Sequence, residues 1–203
     1  MPKVKVPRKS TTIDMTAMCD VASLLLTFFI LTATARQPEP LPVDTPSSTV
    51  TIKLPSTDIA TLTVGQGKVF MSVAGQTIRE RLLEKMGERY KMSFTAEEKK
   101  RFSLMESFGS PMANLKQVIA LSNTDRNKPG VQLGIPTDSV DNQLAEWILQ
   151  ARYATKEIDN QEMRISIKGD AKEEYPAMKK IIDILQKQKV NKFSLITSLE
   201  AEN

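Results

Sequence analysis

Residues 13–36 read IDMTAMCDVASLLLTFFILTATAR, and the rest of the chain is organised around how this stretch is read. From Met15 to Ala35 about 21 residues carry one charge, Asp20, close to the ~20 residues that cross a bilayer as a helix. Lys3, Lys5, Arg8 and Lys9 precede the stretch, whereas Arg36 is followed by Glu39 and Asp44. Positive charge stays on the cytoplasmic side, so the expected topology is single-pass. A basic cytoplasmic tail (1–14) leads into a transmembrane helix (15–35), with everything after Arg36 outside. A secretory signal reads from the same residues: a basic start, an apolar run of about 13 residues from Val21, and Ala33-Thr34-Ala35 before Arg36. Against cleavage after Ala35 stands a long leading region containing both Asp14 and Asp20. A lipoprotein signal fits less well, because Cys19 precedes the apolar run.

A carboxylate at membrane depth is costly and is a functional hypothesis by default. At about 100° per residue, Thr16, Asp20, Ser23, Thr27 and Thr34 fall within roughly 60° of one line. A polar stripe of this kind faces protein or a wet cavity, not acyl chains. Withdrawal from water favours the protonated form of a carboxyl group, the property a proton carrier needs. The following cation, Arg36, is about 24 Å away along a helix, so any counter-charge comes from a partner protein. The plainer alternative is that Asp20, about 7 Å inside the start of the segment, caps the helix or reaches the interface. Asp14 with Thr16 is a competing cap, and the N-terminal cations need do no more than set topology.

Composition narrows the function. The chain has 203 residues, with Lys+Arg 28 against Asp+Glu 24. Four of the excess cations lie in the N-terminal tail, so no basic field points to nucleic acid. Histidine is absent and Cys19 is the single cysteine, which removes His-dependent triads, disulfides and Cys/His metal spacing. No phosphate-binding glycine loop occurs; Gly65-Gln66-Gly67 is a turn signal. Neither an enzyme, a cofactor nor a metal site is expected.

After Arg36, QPEPLPVDTPSS reads as a Pro-rich, semi-rigid linker (36–48). Residues 49–203 read as one α+β domain. TVTIKL (49–54) alternates as a strand. IATLTV and KVFMSV flank the Gly65–Gly67 turn as a hairpin. Thr77 and Glu80 form a capping box opening a helix through Arg89. RISIK (164–168) is a strand, Tyr175–Lys187 a helix with Pro176 in its first turn, and FSLITSL a closing strand. The order predicts a small sheet with helices packed on one face. AEEKKRFSLMESF, MANLKQVIALS and SVDNQLAEWILQARYATKEI look helical, with NTDRNKPGVQLGIPTD turn-rich between the last two. Leu144, Trp147, Ile148 and Leu149 form an apolar stripe best read as core packing. Ile167–Asp170, IKGD, sits at a strand-to-helix turn, where a glycine for backbone geometry and an aspartate for turn hydrogen bonds suffice.

The stretch from Asp14 through Thr16, Ala17, Cys19, Asp20 and Val21 resembles the helix entry of the ExbD/TolR family of proton-driven inner-membrane motor proteins. Asp14 stands where the family has Asn and Ala17 where it has Pro. VTIKLPST (50–57) and the closing unit from RISIKGD to the last strand are similar to the family's in the same order. The resemblance covers roughly the first 90 and last 45 residues, leaving about 92–161 as a helical insertion. It implies that Asp20 is the essential proton carrier, in a cell inner-membrane subunit with its C-terminal domain in the periplasm. The implied partners are a ring of ExbB-like membrane subunits, a second copy of the chain, a TonB-like energy transducer and protons. The implied function is to energise TonB-dependent outer-membrane transport. The alternatives are a TolR-like envelope-maintenance subunit and a secreted or anchored periplasmic binding module without a proton role.

Overall fold

The computed structural model describes residues 15–33, 39–48, 57–128, 130–138, 141–170, 175–196 and 198–199. They belong to two units, Met1–Gln37 and Pro38–Asn203.

The first unit contains helix α1 (Met15–Thr32), which is long and apolar enough to cross a membrane. Its 18 residues rise about 27 Å, near the thickness of a hydrocarbon core. Apolar side chains point outward all round it, Leu24, Leu25, Phe28, Phe29 and Leu31 among them, and none is buried within the chain.

The second unit begins with a two-residue strand β1 (Ser47–Ser48) and then strands β2 (Ile59–Gly65) and β3 (Lys68–Val73). The expected hairpin forms: Gln66 and Gly67 both take positive φ, the geometry that matches strand twist in a two-residue turn. Helices α2 (Gln76–Tyr90), α3 (Ala96–Ser103), α4 (Met112–Ala120), α5 (Asn123–Arg126) and α6 (Gln143–Asp159) follow. Strand β4 (Arg164–Gly169), helix α7 (Tyr175–Lys187) and strands β5 (Phe193–Ile196) and β6 (Ser198–Leu199) close the chain. The predicted strand over 49–54 lies outside the described residues.

Four strands pair in the order β3-β2-β4-β5, with β2/β3 antiparallel and the other pairs parallel; β1 pairs with β6. Alternation separates two faces. Ala60, Leu62 and Val64 line up with Val73, Met71 and Val69 on one side and with Ile165 and Ile167 on the other. That face carries the helices: Leu82 and Met86 of α2, Trp147 and Ile148 of α6, and Ile181 and Leu185 of α7 share its core. The opposite face carries Thr61, Ser72 and Ser166, with Thr61 Oγ1 and Ser166 Oγ 2.9 Å apart, and Phe70, which is buried beside Gly109. This is the expected α+β layering.

Two local expectations are corrected. Thr77 does not cap α2: Gly75 does so at φ 90°, with no side-chain cap bond. Ala74 N–H still donates to Ile59 C=O, so the sheet runs to the edge of the helix and leaves Thr77 inside its first turn. The capping box stands one helix later. Thr95 Oγ1 accepts from Glu98 N–H and Glu98 Oε2 accepts from Thr95 N–H, opening α3. Second, the run through Phe108 does not stay helical. It leaves α3 after Ser103, and Phe108 exchanges two backbone hydrogen bonds with Met71, at 2.8 and 2.9 Å.

That departure shows what residues 92–161 do structurally. Ile135 N–H also donates to Val69 C=O, so two irregular segments cover the outer edge of β3. Gly109 lets them come close: a Cβ there would stand 2.3 Å from the Phe70 ring. The same region supplies a buried aromatic cluster, Phe102, Phe108 and Trp147, with ring centroids 4.6 to 6.1 Å apart. Buried glutamines satisfy the irregular backbone. Gln132 Oε1 accepts from Gly109 N–H and Gln143 Oε1 from Met112 N–H.

Candidate functional site

Asp20 lies five positions past Met15, in the second turn of α1. A continuous helix puts Thr16, Asp20, Ser23 and Thr27 at i, i+4, i+7 and i+11, on one face. Thr34 lies outside the described residues. Met15–Cys19 are already helical, so Asp20 is inside α1 and cannot be its N-cap. Thr27 Oγ1 donates to Leu24 C=O at 2.9 Å, and Thr32 Oγ1 likewise to Phe28 C=O. These two hydroxyls are satisfied by their own helix and can face lipid at little cost. Of the stripe, Thr27 is the hydroxyl satisfied in this way; Thr32 lies off that face. Among the described residues no cation pairs with Asp20. Among them, too, no group of three or more side chains could hold a metal ion.

The second feature lies in the folded unit, at the turn after β4. Lys168 Nζ stands 2.7 Å from Glu39 Oε2. Leu41, two residues on, is buried at 5% exposure, and Val43 packs over Gly65. Asp170 N–H donates to Val64 C=O, extending β4's edge by one residue. Gly169 is not at positive φ; a Cβ there would sit 3.2 Å from Met178 Sδ, so close packing of α7, not backbone conformation, accounts for this glycine. An open cavity of about 760 Å³ lies between Pro42–Asp44, Gln66 and the Lys168–Asp170 turn. Reading IKGD as a turn missed the role of its lysine. Its partner is 129 residues earlier, in a segment whose prolines signal a spacer, and no local pattern announces a contact of that range.

Across the chain, residues 7–200 match the family described as biopolymer transport protein ExbD/TolR, the insertion included. No curated protein and no solved structure matches it. The match runs through α1, the sheet and the closing βαβ unit together. The chain belongs to the ExbD/TolR family of biopolymer transport proteins.

Proposed function

We propose that this chain is the proton-channel accessory subunit of an inner-membrane motor of the ExbB–ExbD type, using the proton motive force to energise TonB-dependent outer-membrane transport. One observation carries the reading: a carboxylate with no ion pair among the described residues, inside a helix apolar enough to cross a membrane, in a chain of this family. Asp20 takes and gives up a proton. Neutralised, it tolerates an apolar wall; charged, it requires a wet path or a partner's donor. A ring of ExbB-like helices supplies both surroundings, and alternation between them turns proton flow into displacement. A second copy of the chain accompanies the first within the ring. The unit after residue 37 lies in the periplasm and passes the displacement to a TonB-like transducer. In a membrane, the exposed leucines and phenylalanines of α1 are covered by lipid and by ring helices, and Asp20 with Ser23 and Thr16 turns toward the ring.

The test is Asp20→Asn in the full chain, which keeps shape and hydrogen-bonding capacity but cannot ionise. Energised uptake is abolished while membrane insertion, assembly with the ring and protein level stay normal. Normal uptake in Asp20→Asn cells would end the motor reading. Co-purified subunits name the client: a TonB-like protein supports the transport reading, and its absence beside another envelope protein supports the TolR-like one.

A further inference from the structure

Charge is segregated within the folded unit. Residues 175–192 form α7 and the turn into β5. They carry Lys179, Lys180, Lys187, Lys189 and Lys192 against Asp183 alone, so five lysines and one aspartate leave a net charge of +4. All five lysines are exposed, and among the described residues none of them has an ion pair. Tyr175, Lys179, Asp183 and Lys187 follow at intervals of four and climb one face of α7, with Lys180 beside them. The other face is taken: Ile181, Ile184 and Leu185 are buried in the core, so the basic face is held toward solvent. Lys189 and Lys192 continue the positive charge through the turn. Helix α6, whose Ala145 C=O accepts from Gln188, does not neutralise it. Its Glu146 is committed to Arg89, and its Glu157 to Arg81 and Lys85. Arg152 of α6 adds a further cation, donating to Gln188 C=O at 3.3 Å.

We propose that the outer face of α7, with the turn through Lys192, is a docking surface for anionic lipid headgroups. Three features favour lipid over other acidic partners. Every cation from 175 to 192 is a lysine, a compact charge on a flexible stem that can follow a fluid array of headgroups. A fixed carboxylate or phosphate site is better matched by the planar fork of arginine. Tyr175, 75% exposed, puts a ring with a hydroxyl on the same face, a side chain enriched where membrane meets water. The chain also contains α1, long and apolar enough to cross a bilayer, so it brings its own lipid with it. Each lysine close to an anionic surface is worth about fivefold in association. The attraction falls off within a Debye length, so the contact is strong at low salt and yields to competing charge without a change of fold. The inference uses no proton step and goes beyond the motor reading.

The experiment uses the full chain, reconstituted into vesicles in a Cys19→Ser background. A fluorophore is placed on Asn191→Cys, beside Lys192, or on Gln117→Cys, an exposed position of α4. A lipid with a nitroxide on its headgroup reports contact by quenching. The vesicles are phosphatidylcholine alone or a mixture with phosphatidylglycerol. In the mixture at low salt, quenching at position 191 is expected to exceed that at 117 severalfold. It is expected to fall to the level of 117 in phosphatidylcholine alone, and in about 1 M salt. Lys179→Gln, Lys180→Gln and Lys187→Gln together are expected to weaken the contact on the order of hundredfold. Asp183→Asn, which removes the negative charge of the face, is expected to strengthen it about fivefold, a gain that loss of folding cannot imitate. Equal quenching at the two positions, or quenching at 191 that ignores lipid charge, would overturn the proposal. Quenching unchanged by the triple substitution overturns it too, and loss of a cross-link from position 191 to an acidic protein in cells would then assign the face to that protein. The contact is read without proton flow, so its failure and that of the motor reading are separate results.

Discussion

The two units of this chain treat charged groups differently. In the folded unit the charges along α2 are paired with neighbouring helices. Glu157 accepts Arg81 at 2.7 Å and Lys85 at 2.8 Å, while Glu84 holds Arg81 at 2.9 Å and Lys99 at 2.7 Å, tying α2 to α6 and α3. Arg126, almost fully buried, donates to Val118 C=O and Leu121 C=O, closing the end of α4. In α1, two of the hydroxyls turn back on their own helix and the carboxylate has no ion pair among the described residues. On the motor reading proposed above, that carboxylate meets its wet path or donor on another protein. The comparison breaks most sharply at Asp20. Asp20→Asn is expected to eliminate energised transport with no change in thermal stability of the folded unit, read by uptake and by melting of the purified protein. Thr27→Val on the same face is expected to leave transport within about threefold, because that hydroxyl already bonds Leu24 C=O.

The folded unit breaks through its core instead. Trp147 is fully buried against Phe102 and Phe108, with ring centroids 6.1 and 4.6 Å away. Trp147→Ala removes the largest side chain of the cluster and is expected to cost about 3–5 kcal/mol of stability. Chemical denaturation in detergent measures it. Transport then falls through protein level, so the surviving folded protein works normally, the reverse of Asp20→Asn.

How much of this was legible from residues differs between the same two units. α1 was legible because lipid imposes a composition, and a lone carboxylate stands out against it. The hairpin at Gln66–Gly67, β4, α7 and three residues of the expected stripe, Leu144, Trp147 and Ile148, were legible because period and turn chemistry are local; the fourth, Leu149, is only half-buried. Three features were not. Thr77 and Glu80 have capping-box spacing, yet Gly75 at φ 90° had already turned the chain, a fact set by β3's pairing with Ile59. Residues 105–108 follow a helix former, yet a β-bridge to Met71 won. Lys168 finds Glu39 only because the sheet and the segment Glu39–Asp44 are brought together by the whole fold. Each miss is a tertiary contact overriding a local preference.

Gly109→Ala probes the covering of the β3 edge and so the part of the folded unit that the resemblance did not reach. The added Cβ would lie 2.3 Å from the Phe70 ring, so the segment must lift or the ring must move. A loss of about 1–3 kcal/mol is expected, as for overpacking elsewhere. The telling measurement is hydrogen exchange at Met71 and Phe108, whose paired amides are expected to lose protection before the β2/β4 amides do. Uniform loss across the sheet would mean that the edge covering and the sheet open as one unit.

The smallest effect concerns acid. Hydrogen bonds from Lys99 and then Arg81 hold the Glu84 carboxyl below its ordinary value of 4.5, and those from Lys85 and Arg81 do the same for Glu157. A depressed folded-state value means stability that is present above the unfolded value and is lost as pH falls through the folded one. The α2–α3–α6 contacts are therefore expected to weaken below about pH 4.5, with little change between about pH 6 and 8. Asp159 carries the opposite sign. A hydrogen bond with Asp58 holds its carboxyl above its ordinary value of 3.8, so its contribution is complete below that value and disappears as pH rises through the folded one. Glu84 and Glu157 therefore lower the melting temperature as pH falls below about 4.5, and Asp159 opposes that fall. Glu84→Gln with Glu157→Gln is expected to flatten that fall, and Asp159→Asn to steepen it. These ions are on the surface, so both changes shrink in high salt, whereas the requirement for Asp20 in transport does not.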